Sequence, residues 1–242
     1  MKDFNENKES RRDKAKFQFP SRGFHIVADK VGEADYFLDC LKHADFRTNR
    51  QFGYHFSALV SAARSTTFAL QAVMSGYPGF KEWYKPRQKK LKENPLARFF
   101  HDLRNHLLHV GSLPIMHLGF SQNGKIIGFQ YFVPIQEIED IPKGRIKDLS
   151  EQYLIEILHI LKECYREFRY YVDPRSLFTR DGLKYLGWTI EDLVESLGFP
   201  RDWISCVPKD GWGDSWEDEA LRVLSRYGGD ELMEQYFEKY GL

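Results

Sequence analysis

The chain has 242 residues, enough to bury a self-sufficient core as one large domain or two small ones. Its 35 lysines and arginines balance 35 aspartates and glutamates, so no global basic field marks it for nucleic acid or an anionic membrane, and any such contact has to be local. Aromatic residues make up 15% of it, including 19 Phe and 13 Tyr, which fits a packed core and not a disordered, solvating chain.

Met1 to Lys16 are charged and polar, without the apolar run of a signal peptide, and residues 1–22 read as a flexible arm. No stretch approaches the roughly 20 apolar residues of a membrane span. The expected location is cytoplasmic, with no membrane partner. From Ala28 to Ala44 the apolar positions Val31, Ala34, Phe37, Leu38 and Leu41 recur at three- and four-residue steps, one face of a helix. Phe46 to Met74 repeats the pattern through Phe52, Phe56, Leu59, Val60, Ala63, Leu70 and Val73, with Tyr54 and His55 expected as packing residues. Gly76-Tyr77-Pro78-Gly79 stops it, and the two segments are predicted to pair as antiparallel helices.

A shorter helix over Phe80 to Lys92 carries Phe80, Trp83 and Tyr84 together with a basic run from Lys85, a mix suited to single-stranded RNA or to a plain solvated face. Asn94-Pro95 opens the next helix, because Asn caps orphan amides and Pro at the first helical position has no hydrogen bond to lose. Gly111 closes it. Ile115 to Phe120 and Ile126 to Val133 flank Asn123-Gly124, a strong hairpin signal, so two antiparallel strands are predicted to pack against the helices. A long helix follows from Asp148 to about Tyr171, with Leu154, Ile157, Leu158, Leu161 and Cys164 on one stripe. Beyond Asp173 the chain reads as short helices, among them Ile190 to Leu197 capped by Thr189, Trp216 to Arg226 and Glu231 to Tyr240. Cys40, Cys164 and Cys206 are odd in number and far apart, which fits thiols in a reducing compartment better than a disulfide framework.

The helix from Pro95 to Val110 holds the sharpest chemistry. A wheel projection puts Leu96, Phe99, Phe100, Leu103, Leu107 and Val110 on a core-facing arc, with Arg98, Asp102, Asn105 and His109 roughly opposite. Asp102, Asn105 and His109 stand at i, i+3 and i+7, and the long stem of Arg104 lets its guanidinium reach the same cleft. Cleaving RNA without a metal needs a base for the 2′-hydroxyl, an acid for the leaving oxygen and positive charge on the phosphate, work suited to His and Arg. His101, His106 and His109 lack the spacing and the carboxylate of a zinc site, so no metal is expected.

Arg104-Asn105-His106-Leu107-Leu108-His109 resembles the signature of the HEPN superfamily, an Arg followed after four to six residues by His, with a polar residue commonly next to the Arg. The likeness covers this motif and a compatible helical context from about residue 24 to 171. It implies a metal-independent endoribonuclease with Arg104, Asn105 and His109 as catalytic residues, no cofactor, and a homodimer in which two motifs face one cleft. It also implies RNA as substrate, a toxin or defence setting, and an antitoxin or other defence-system protein as partner. Arg64, Asp102 and His106 are weaker candidates for RNA contact. The fold class expected is mainly α: an HEPN-like helical bundle over residues 23–172 with an inserted β-hairpin at 114–133, then a C-terminal helical extension over 173–242. Plainer alternatives stay open. Arg104 and Arg64 are also read as ion-pair or helix-bridging arginines, His109 as a cap on the negative end of the helix dipole, and the whole as a non-catalytic, dimeric RNA- or protein-binding member of the fold.

Overall fold

The computed structural model describes residues 24–44, 49–109, 111, 113–123, 125–135, 138, 140–206, 216–225 and 232–242. The expected arm over residues 1–22, the first residues of the second predicted helix, and Val110 lie outside the described residues. Among those described, the chain is mainly helical with one two-stranded sheet, the class expected from its periodicity. The helices are α1 (His25–His43), α2 (Asn49–Met74), α3 (Phe80–Glu93), α4 (Pro95–His109), α5 (Ile146–Glu167), α6 (Arg169–Val172), α7 (Pro174–Leu177), α8 (Arg180–Leu186), α9 (Ile190–Ser196), α10 (Trp216–Leu224) and α11 (Leu232–Lys239). The strands are β1 (Ile115–Gln122) and β2 (Lys125–Phe132).

The fold divides into two compact units. One comprises Val27–Ala72 and Gly79–Ile160. Its core is a chain of aromatic contacts: the Phe56 ring of α2 lies 6.1 Å from Phe100 of α4 and 5.6 Å from Phe132 of β2, and Phe99 meets Phe132 at 4.7 Å. Phe100 then stacks on Tyr153 of α5 with centroids 4.5 Å apart and planes within 2° of parallel. The hairpin therefore packs against helices through its last residue, as a lone pair of strands requires. Its register runs from Ile115 opposite Phe132 to Gln122 opposite Lys125, a connection of two residues that opens with Asn123 at φ 52. Met116, Leu118 and Phe120 point outward and are exposed. At the other side of this unit Lys42 pairs with Glu151 at 2.7 Å, and the Lys147 ammonium, its pKa lowered by burial, donates to the Lys42 carbonyl at 2.6 Å.

Asn94 separates α3 from α4 and serves both. Its amide closes α3 on the Lys90 carbonyl at 2.9 Å, and its side-chain oxygen accepts from Ala97 N at 3.1 Å, the N-cap that Asn-Pro predicts. Gly111 takes φ 76 just past α4, the left-handed conformation that ends helices. Pro86 lies inside α3.

The second unit comprises Val73–Pro78 and Leu161–Leu242 together with Phe24, His25 and Ile26. Here the helix predicted to run to Tyr171 stops at Glu167. Phe168 leaves helical geometry at φ −106 and ψ 26, and the four-residue α6 follows, a break that buries Phe168, Tyr171 and Val172 together. Thr179 caps α8 through Gly182 N, and Thr189 and Asp192 form a reciprocal capping box on α9. Arg180 ties α8 to Asp218 of α10 at 2.6 Å, and Arg175 ties α7 to Glu234 of α11 at 2.9 Å. Cys164 is fully buried, as its place on the apolar stripe predicts.

Burial also sets an alkaline limit. It raises the phenol pKa of Tyr77 and Tyr165 in this unit, and pushes Tyr153 in the other up to about 12 despite the opposing charges of Arg64 and Arg104. An unfolded tyrosine loses its proton near pH ~10. Above that point the unfolded chain releases protons that these folded phenols keep, so stability falls as pH rises, by about 1.4 kcal/mol per pH unit for each group until its folded pKa is reached. Phenolate absorbance followed alongside circular dichroism should show the three tyrosines ionising only as structure is lost. Ionisation of all tyrosines before any loss of helix would contradict this.

Candidate functional site

Helix α4 sorts its side chains by spacing. Phe99, Phe100, Leu103 and His106 face the core, so His106, 9% exposed, is turned inward and not into an open cleft. The wheel projection had assigned that stripe to Leu107, which is only half-buried. His106 follows Phe99 and Leu103 at the seven- and three-residue steps of one helical face, which is why it shares their burial. Asp102 and Asn105 are half-buried, and His109 stands exposed at the helix end beside Leu108, itself 61% exposed. The Asn105 amide lies 3.4 Å from His101 Nε2, one turn earlier, so in the single chain the imidazole it approaches is His101 and not His109. Tyr54, expected to pack, is 68% exposed.

Arg104 behaves unlike a surface arginine. Its Nε is buried and has no hydrogen-bond partner among the described residues. A buried unsatisfied donor costs roughly 1–3 kcal/mol, more when charged. Arg64 reaches from α2 toward the same region. Its guanidinium donates to Thr67 Oγ1 at 3.0 Å and lies 4.5 Å from the Phe68 ring centre, and no carboxylate pairs with it or with Arg104 among the described residues. Both positive charges act on the Tyr153 hydroxyl, countering part of the burial that raises its pKa. Cations that act on one buried hydroxyl without a carboxylate partner favour an anionic ligand nearby.

A cavity of about 320 Å³, lined by Arg64 and Tyr153 but not by Arg104, opens within the same unit. Arg64, Lys92, Arg98 and His101 are its basic lining residues, Thr67 and Gln88 its uncharged polar ones, and Tyr84, Leu91, Tyr153 and Ile157 its aromatic and apolar ones. No aspartate or glutamate is among its lining residues. Arg98 is paired with Asp140 at 2.7 Å, whereas Lys92 has no ion pair among the described residues. Helix α3, the far wall, carries six lysines and arginines against two glutamates. Trp83, expected as a stacking surface, is covered on one face by Arg87 at 3.9 Å, and Tyr84 is buried against Phe80 at 5.2 Å.

Arg64 lines the cavity and Arg104 does not, although the charges of both act on Tyr153; Asn105 lies one turn from His101 of the lining, and His109 and His106 are not among the lining residues. Of the cavity residues, Arg98 falls on the predicted polar arc of α4 and Lys92 in the predicted basic run, His101 is noted in the sequence only as a rejected zinc ligand, and Tyr153 carries no sequence signal for the site. Arg98 and Asn105 share the predicted polar arc of α4, whereas Tyr153 lies far along the chain and only packing brings it there.

Residues 36–119 are similar to the protein family described as bacteriophage lambda protein ea47. That stretch, about a third of the chain, includes α2, α3 and the whole motif helix α4. No curated protein matches the chain, and no solved structure does. Among the described residues no helix is long and apolar enough to cross a membrane, and no three His, Cys, Asp or Glu side chains gather at a metal-binding distance.

Proposed function

We propose that this chain is a metal-independent endoribonuclease of the HEPN type, acting on RNA in the cytoplasm as a homodimer. The reading rests on Arg64 and Arg104, two cations without a carboxylate partner among the described residues, whose charges both act on the buried Tyr153 hydroxyl. A phosphodiester is the anion such a pair suits, because each guanidinium presents parallel donors to phosphate oxygens. In the proposed reaction the 2′-oxygen attacks phosphorus while a base takes its proton. The bond from phosphorus to the 5′-oxygen breaks as an acid protonates the leaving oxygen, giving a 2′,3′-cyclic phosphate and a 5′-hydroxyl. His109 of one copy serves as the base and His109 of the other as the acid, Arg104 holds the phosphate, and Asn105 orients one or both of these side chains. The exposure of His109 and of its neighbour Leu108 supports a cleft completed by a second copy. A likeness to a family named for a bacteriophage protein is compatible with a defence or toxin role and a restraining partner protein.

Wild-type protein should cleave single-stranded RNA in EDTA. Arg104→Ala and His109→Ala should each lower the rate by about 100-fold or more, with unchanged circular dichroism. Equal activity in the variants refutes the reading.

The position of His109 outside the cavity lining and the contact of Asn105 with His101 favour a second reading, a non-catalytic RNA- or protein-binding dimer of the same fold. In that case no cleavage occurs, and the same substitutions alter the oligomeric state or the melting temperature.

A further inference from the structure

We infer that the cavity bounded by α2, α3, α4 and α5 is a binding site for one nucleotide unit, with the base on its apolar side and the phosphate at its basic wall. The choice of a nucleotide over other anions rests on the RNA reading above, but the site's two-sided chemistry is independent of the cleavage residues. At about 320 Å³ the cavity lies at the lower end of the roughly 300–1,000 Å³ typical of small-molecule sites, a size for one small ligand and not for a duplex. Leu91 and Ile157 line it beside the rings of Tyr84 and Tyr153, a surface that suits a flat aromatic body. Each tyrosine already stacks a partner on one face, Phe80 for Tyr84 and Phe100 for Tyr153, so both rings are held in place before any ligand arrives.

The lining is also basic, and no carboxylate belongs to it, although Arg98 is held by Asp140 from outside. Lys92 has no ion pair among the described residues, and Arg64 spends its hydrogen bond on a neutral threonine. Gln88, which can donate and accept together, is the lining group suited to reading the polar edge of a base. A simple phosphate site would need no apolar half, and a hydrophobic ligand site would not carry Arg64, Lys92 and Arg98. A free nucleoside monophosphate and the terminal nucleotide of an RNA strand share this chemistry.

Calorimetric titration of the whole chain with AMP, adenosine, inorganic phosphate and a 2′-O-methyl oligoadenylate that cannot be cleaved tests the site. AMP should bind at least tenfold more tightly than phosphate or adenosine alone. Lys92→Glu, an exposed change, should weaken AMP at least tenfold, and Leu91→Trp, which fills the cavity, should abolish AMP binding; circular dichroism checks both folds. His109→Ala should bind AMP within twofold of the wild type. Tight binding of the oligoadenylate points to an RNA end, and AMP binding without it to a free nucleotide; both support the site. Equal affinity for AMP and phosphate, or AMP binding that survives Leu91→Trp, overturns it. RNA cleavage without AMP binding removes this site and leaves the ribonuclease reading standing. AMP binding that obeys the variants, with no cleavage by the wild type, does the reverse.

Discussion

Phe100→Ala is expected to lower the unfolding free energy of the unit that holds α4 by about 3–5 kcal/mol, the range for a large aromatic removed from a packed core. Phe100 is fully buried, touches Phe56, Phe99 and Phe132, and lies parallel to Tyr153. Its loss removes burial and leaves a cavity that rigid neighbours close only in part. The effect should reach the functional site as well, because Tyr153 loses the ring that fixes it under Arg64 and Arg104. Denaturant titration gives the stability, and a melting midpoint within a degree of the wild type would show that Phe100 is not part of the core.

Gly182→Ala should be damaging where the same change in a helix is usually mild or helpful. An alanine in a helix interior is ordinarily favoured over glycine by about 0.5–1 kcal/mol. At Gly182 of α8, however, a Cβ would lie 2.4 Å from the Ser176 carbonyl oxygen and 2.5 Å from that of Leu177. These are backbone atoms of the preceding segment and cannot rotate away. Relief would require α8 to move off α7, disturbing the Thr179 cap on Gly182 N. The sign therefore reverses, with a cost of about 1–3 kcal/mol or more. A variant as stable as the wild type in thermal denaturation would show that this close approach is absent in solution.

Much of the fold could be read before any coordinates because its local signals agree. Asn94 followed by Pro95 marks a boundary that serves two helices, and Asn123 beside Gly124 fixes the hairpin connection to two residues. The place where reading failed, Phe168, carries no glycine or proline. The helix breaks there to bury three large side chains, a tertiary demand that periodicity does not encode. The candidate site divides the same way. Arg64 and Arg104 are both candidates in the sequence, but only folding brings Tyr153 of α5 within reach of both charges and closes a cavity against α3. His106 drew attention as a polar group, yet its spacing from Phe99 and Leu103 already placed it among apolar neighbours.

Pro86 has a consequence for how anything enters that cavity. Lacking an amide hydrogen, it leaves the carbonyl of Glu82 without its helical donor, so the rod of α3 has a built-in weak joint between its first turn and its basic end. Gln88, Leu91 and Lys92 all lie beyond that joint. Any bend of α3 at Pro86 therefore carries these three lining side chains together, as one group, relative to the first turn of the helix.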